Sequence, residues 1–180
     1  MRARLLELVR ERAWRDGVDV VLVSGKRSDF YVQGKRITLH PEGLNLFARL
    51  LLDALDEFPE ITAIGGLTMG ADPIAAAVCA LSHDRGRPID AFLVRKEAKG
   101  HGIGSRIEGD LAAGQKVAIV EDTVTTGGSA RKAIDAVREV GAEPVVVFAL
   151  VDRGDPDAAA FRSEFDVRSL FTVEELRGRG

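Results

Sequence analysis

Residues 144–151, Pro-Val-Val-Val-Phe-Ala-Leu-Val, form an unbroken apolar run with no polar alternation. Such a run is too short for a buried helix and fits a strand covered on both faces. Residues 61–65, 89–94 and 115–120 repeat the pattern, and helical periodicities separate them at 73–81 and 129–140. Strands alternating with helices specify an α/β chain whose central sheet is mainly parallel and flanked by helices on both sides. A last strand is predicted at 167–171, followed by a capping box in Thr172-Val173-Glu174-Glu175. Before the sheet, the spacing predicts a helix over 2–14, a hairpin from strands at 19–23 and 30–32, and a long helix over 41–58 opened by Pro41. The 180 residues suffice for one domain with a substantial core.

The most informative stretch follows the strand at 115–120. Glu121 and Asp122 stand side by side, then come Thr123, Val124, Thr125, Thr126, Gly127, Gly128 and Ser129. Ligands of open α/β sheets sit beyond the carboxyl ends of the strands. Adjacent carboxylates repel, but together they accept from the vicinal hydroxyls of a ribose, and they favour positive charge developing at its C1. Glycines allow close backbone approach, and the amides opening the next helix attract a phosphate dianion. Helix capping would account for one acid or one threonine, not for the whole run. A P-loop is excluded because no Lys follows the glycines, and the dinucleotide fingerprint is absent from this turn.

Residues 117–130 resemble the signature by which type I phosphoribosyltransferases hold phosphoribosyl diphosphate (PRPP). The resemblance implies that fold, with a small N-terminal hood over residues 1–40, a core sheet over 41–171 and a flexible catalytic loop over 96–111. It also implies Mg²⁺ as cofactor, bound mainly through PRPP oxygens and waters rather than by a protein ligand set.

The segment 96–111 holds four glycines and mixed charge. Arg95, Lys96, Lys99 and His101 form a cationic run suited to a pyrophosphate leaving group. The pattern Arg95-Lys96-x-x-Lys99-x-His101-Gly102 resembles the orotate-specific branch of the family. So do the hairpin Ser24-Gly25-Lys26-Arg27-Ser28-Asp29-Phe30-Tyr31 and the segment Val151-Asp152-Arg153. The resemblance implies a homodimer in which Lys99 and His101 reach the neighbouring subunit's site and Arg95 is also shared across the dimer, with Lys99, His101 and Asp122 in the chemistry. It implies PRPP contacts from Arg95, Lys96 and residues 121–129, and orotate contacts from Thr125, Arg153, Tyr31 and Val32. Two departures stand out: the loop 67–72 lacks the lysine of some relatives, and Val32 occupies an aromatic position.

Rival readings are a purine or other base transferase and a PRPP-sensing regulator that binds nucleic acid. A net charge of −3 gives no basic face for the latter. One cysteine, Cys79, permits no internal disulfide and no zinc cluster. Met1 leads straight into a charged helical pattern, and no apolar run reaches the ~20 residues of a membrane span. A cytoplasmic protein free of membrane and nucleic acid is expected.

Overall fold

The computed structural model describes residues 1–21, 25, 27–97 and 106–178. α1 (Arg2–Leu8) continues as a π turn over Val9–Ala13 and leads into a hairpin of β1 (Trp14–Val21) and β2 (Arg27–Val32). α2 (Lys35–Thr38) and α3 (Pro41–Leu55) follow, then β3 (Ala63–Leu67), α4 (Asp72–Asp84) and β4 (Asp90–Val94). β5 (Ile107–Glu108), β6 (Lys116–Val124), α5 (Gly128–Glu139) and β7 (Glu143–Asp152) come next. The chain closes with α6 (Ala159–Glu164), β8 (Val167–Thr172) and α7 (Val173–Leu176). Among the described residues, β5-β4-β3-β6-β7-β8 form one six-stranded sheet, parallel throughout except for β5.

The pleat divides each central strand between two cores. Ala118 and Val120 of β6 join Phe148 and Leu150 of β7 against Leu5, Phe47 and Ile74 of the helices. Val117 and Ile119 face the other way, with Ala133, Ile134 and Val137 of α5. Both faces being buried explains why these strands read as continuous apolar runs.

The chain moves outward from β3 to β4, then returns past β3 to β6 and outward again to β7 and β8. This reversal leaves the carboxyl ends of β3 and β6 side by side, with a crevice where their loops diverge.

Several boundaries differ from the sequence reading. Trp14 leaves the helix for β1, where its ring stacks on Phe30 at 5.2 Å, so tertiary packing overrides local helical spacing. β1 is longer than expected because it tolerates an irregularity between Asp16 and Val20, where Gly17 takes φ 65°. α3 stops at Leu55 rather than 58, since Arg87 takes up the carbonyls of Leu55, Phe58 and Ile61. β6 runs on to Val124, so the two acids belong to the strand itself and not to the turn after it. The stretch 96–111 is not one unbroken loop, because its far end forms β5 on the edge of β4, locked by Arg95 N–H donating to the Arg106 carbonyl at 2.7 Å. The short elements α2, β5 and α6 carried no readable periodicity.

Gly65 sets how closely β3 and β4 approach. A Cβ there would lie 2.1 Å from the Phe92 carbonyl oxygen and 2.6 Å from its ring. Gly65→Ala is expected to cost on the order of 3 kcal/mol through overpacking. Urea denaturation checks this as a lower midpoint at unchanged slope.

Candidate active site

Glu121 and Asp122 point to opposite sides of β6, as successive strand residues must. Glu121 is buried, only 7% exposed, and Ser129 at the start of α5 hydrogen-bonds to it. Burial, and then the charge of Asp122, push Glu121 up to about 8, against the opposing Ser129 bond. Burial also raises Asp122; nearby Lys35 and the backbone amides of Thr123 and Asp122 oppose the rise. Both acids line a cavity of about 170 Å³ together with Lys35, Thr68, Gly70 and Lys96.

Besides Lys96, which follows β4, the walls come from the segments after β3, β2 and β6. After β3, Thr68 N–H donates to the Val94 carbonyl at 2.9 Å and Thr68 Oγ1 donates to Asp72 Oδ2 at 2.6 Å. After β2, the turn at Gly34 closes on the acids. A Cβ at Gly34 would fall 2.8 Å from Thr123 Oγ1 and 3.0 Å from Asp122 Oδ2, so a side chain there would hold the turn off. This turn delivers Lys35 to Asp122.

After β6, Gly127 takes φ 77° and its missing side chain leaves room for Phe161, whose ring would be 2.4 Å from a Cβ. Its carbonyl accepts from Arg131 N–H at 2.9 Å and so starts α5, which no side chain caps. The first amides of α5 therefore face the loop, where Thr125 is half-buried and Thr126, Gly128 and Ser129 are exposed. Val124 differs from its neighbours: its side chain is wholly buried and its carbonyl accepts from Arg153 N–H at 3.0 Å, which leaves it no side-chain role in binding.

That backbone bond joins the first cavity to a second, of about 620 Å³, under the hairpin. Arg153, Gly154 and Pro156 form one wall and Ser28, Asp29 and Phe30 the other. Arg153 Nη2 donates to Ser28 Oγ at 3.2 Å, and its guanidinium carbon lies 4.7 Å from the Phe30 ring centroid. Burial lowers the Arg153 pKa, with Asp155 and Tyr31 opposing.

The sequence-predicted residues thus separate. Glu121, Asp122, Thr123, Ser129 and Lys96 meet in the smaller cavity. Arg95 is not among the residues lining it, and its guanidinium pairs with Glu108 at 3.0 Å. Lys99 and His101 lie outside the described residues. Tyr31 is 40% exposed and Val32 has its side chain in the core, while Ser28 and Phe30 help to wall the larger cavity. Successive residues of β2 face opposite ways, so Tyr31 does not share the face of Phe30, whose ring meets the Arg153 guanidinium. Lys35, Gly34 and Thr68 went unrecognised. The only sequence signal for Lys35 was its place just after the hairpin.

Residues 33–176 match the family model described as phosphoribosyl transferase domain. The chain is 44% identical over 181 residues to orotate phosphoribosyltransferase of Nostoc sp., covering 99% of this chain and 86% of that one. Among solved structures it resembles Mycobacterium tuberculosis orotate phosphoribosyltransferase in complex with Fe(III) dicitrate, with a TM-score of 0.82 and 45% identity, over 97% of this chain and 98% of the other. The complex of that enzyme with PRPP gives a TM-score of 0.79 at 42% identity, over 98% of each chain. The chain belongs to the phosphoribosyltransferase family, within its orotate phosphoribosyltransferase branch.

The raised pKa of Glu121 has a stability consequence. Its ordinary value is 4.5 and its folded value about 8, so between these the folded chain holds a proton that the unfolded chain has released. Stability therefore falls as pH rises through that window and levels off above it. Glu121→Gln should melt on the order of 5 °C above the wild type at pH 8, with the gap closing towards pH 5. Calorimetry across the range checks it.

Proposed function

We propose that the protein transfers the 5-phosphoribosyl group of PRPP to orotate, giving orotidine 5′-monophosphate and pyrophosphate, the phosphoribosyl-transfer step of pyrimidine synthesis. The observation that carries this reading is the pairing of two unlike cavities across the ends of β6 and β7. One has buried carboxylates beside an uncapped helix start; the other has a half-buried guanidinium beside an aromatic ring.

In this reading the 5′-phosphate sits on the first amides of α5 and the hydroxyls of Thr125 and Thr126. Glu121 and Asp122 accept from the ribose hydroxyls, and Asp122 opposes the positive charge that develops at C1 as pyrophosphate departs. Backbone at 68–71, with Lys35 and Lys96, faces the diphosphate. Orotate, a flat anion, lies against Arg153, with Thr125 and the Tyr31-Val32 backbone nearby. Its N1 gives up its proton to the departing pyrophosphate and forms the new bond to C1 as the C1–O bond to pyrophosphate breaks, and no side chain need act as nucleophile.

The groups facing the smaller cavity include carboxylate and hydroxyl oxygens, the hard donors Mg²⁺ prefers. Mg²⁺ would be held mainly by PRPP oxygens and waters, with Glu121 and Asp122 facing it as acceptors for its waters. Bound there, the ion would neutralise charge on the leaving diphosphate. Two subunits are proposed to share each site, Lys99 and His101 of one closing over the other and excluding water. A cytoplasmic location belongs to the same proposal and rests on the lone cysteine. Among the described residues, no helix is long and apolar enough to cross a membrane.

The test is loss of orotate absorbance with PRPP and Mg²⁺, run beside adenine, guanine, hypoxanthine and uracil. Orotate alone should be consumed. Turnover of another base with orotate untouched would keep the ribose-phosphate site and overturn the assignment of acceptor. Lys99→Ala should lower kcat by about a hundredfold, the scale of one lost transition-state contact, with an unchanged melting temperature.

A further inference from the structure

α7 is one turn long, fixed by its Thr172–Glu175 capping box and by buried Val173 and Leu176. The residue after it, Arg177, turns back to the hairpin and is only 20% exposed. Its Nη2 donates to Asp29 Oδ2 at 2.7 Å and its Nε to Asp16 Oδ1 at 3.2 Å. One guanidinium thereby spans both strands of the hairpin. Its carbon also lies 5.2 Å from the Phe30 ring centroid and 6.0 Å from that of Trp14. Arg10 strengthens the junction from the other side by donating to the carbonyls of Glu175 and Leu176.

Phe30 consequently meets two guanidiniums, Arg177 at 5.2 Å and Arg153 at 4.7 Å. Asp29 and Phe30 line the larger cavity with Arg153, whereas Arg177 stands behind that wall. The hairpin is a two-stranded sheet of its own, separate from the main sheet and with an irregular register between Asp16 and Val20. A two-stranded ribbon has little stiffness of its own, so its orientation depends on such cross-ties.

We propose that Arg177 is a positioning residue for the acceptor base. It holds Asp29 and Phe30 against Arg153, and so sets affinity for the flat anionic acceptor without touching it. This rests on the reading of the larger cavity as the orotate site. The ribose-phosphate residues stand on β6 and α5, which Arg177 does not contact, so the effect falls on one substrate.

The experiment is steady-state kinetics on the full chain, varying orotate and PRPP in turn, for wild type, Arg177→Ala, Arg177→Lys and Asp16→Asn. Arg177→Ala should raise KM for orotate about tenfold, the scale of a lost cation–π contact with its ion pair. Its kcat and its KM for PRPP should stay within about twofold of wild type. Arg177→Lys, which keeps the charge but loses the planar fork, should fall between the two. An unchanged KM for orotate overturns the proposal. So does a joint loss of kcat, both KM values and thermal stability, which would make Arg177 structural only. Should Arg177→Ala not fold, the Lys and Asp16→Asn variants decide by the same comparison. A wild-type enzyme that ignores orotate overturns the cavity reading itself, and that result is distinct because it needs no variant.

Discussion

Two carboxylates on consecutive residues of a buried strand are costly to place, and the surroundings of the site answer that cost. Glu121 and Asp122 diverge across the pleat, which separates their charges as far as one strand allows. Glu121 receives the Ser129 bond, and Asp122 receives Lys35 and two backbone amides. Each helper comes from a different loop. The helix start after β6 brings Ser129, and the turn after β2 brings Lys35 across the Gly34 contact. The switch in strand order makes this convergence possible, because it brings the carboxyl ends of β3 and β6 side by side where their loops part.

The compensation is incomplete, since both acids remain shifted upward. Such a site gains most from a ligand that supplies hydroxyl donors or a cation. A vicinal diol with its metal-bound diphosphate supplies both, and its binding favours the ionised forms that burial disfavours. The polar groups that make the empty chain less stable are those that discriminate for this ligand. That is the usual exchange between stability and a preorganised site.

Legibility in the sequence followed the range of the interactions. The parallel sheet was readable because β6 and β7 are buried on both faces and show it in unbroken apolar runs. The acid pair and the Thr125–Ser129 turn were readable because their chemistry is local: one strand, one turn, one helix start. Long-range features were not. Lys35 meets Asp122 only after the whole first sheet half has folded between them. Trp14 looked helical because its stacking partner Phe30 lies on another strand. Arg95 lies beside Glu108 because β5, two residues that nothing local announced, sits on the edge of β4. Arg177 lies past the last readable element, while its partners Asp16 and Asp29 sit near the opposite end of the chain.

The two cavities are coupled by backbone as well as by substrate. Val124 and Arg153 are joined by a single amide–carbonyl bond between the ends of β6 and β7. Beyond that bond one chain turns into the phosphate loop and the other into the wall of the base cavity. The hairpin reaches both: Phe30 and Ser28 meet Arg153 at its middle, and Gly34 meets Asp122 just past its end. The Arg177 tie bears on the ribbon at Asp16 and Asp29, on the acceptor side, whereas the Gly34 contact separately fixes the end that carries Lys35. The hairpin's N-terminal position in the chain is incidental, since its ties run to β6, β7 and α7 of the other half. A ribbon with so little internal stiffness takes its shape from those ties, and so aligns the anion that attacks with the carboxylates that oppose the charge left at C1.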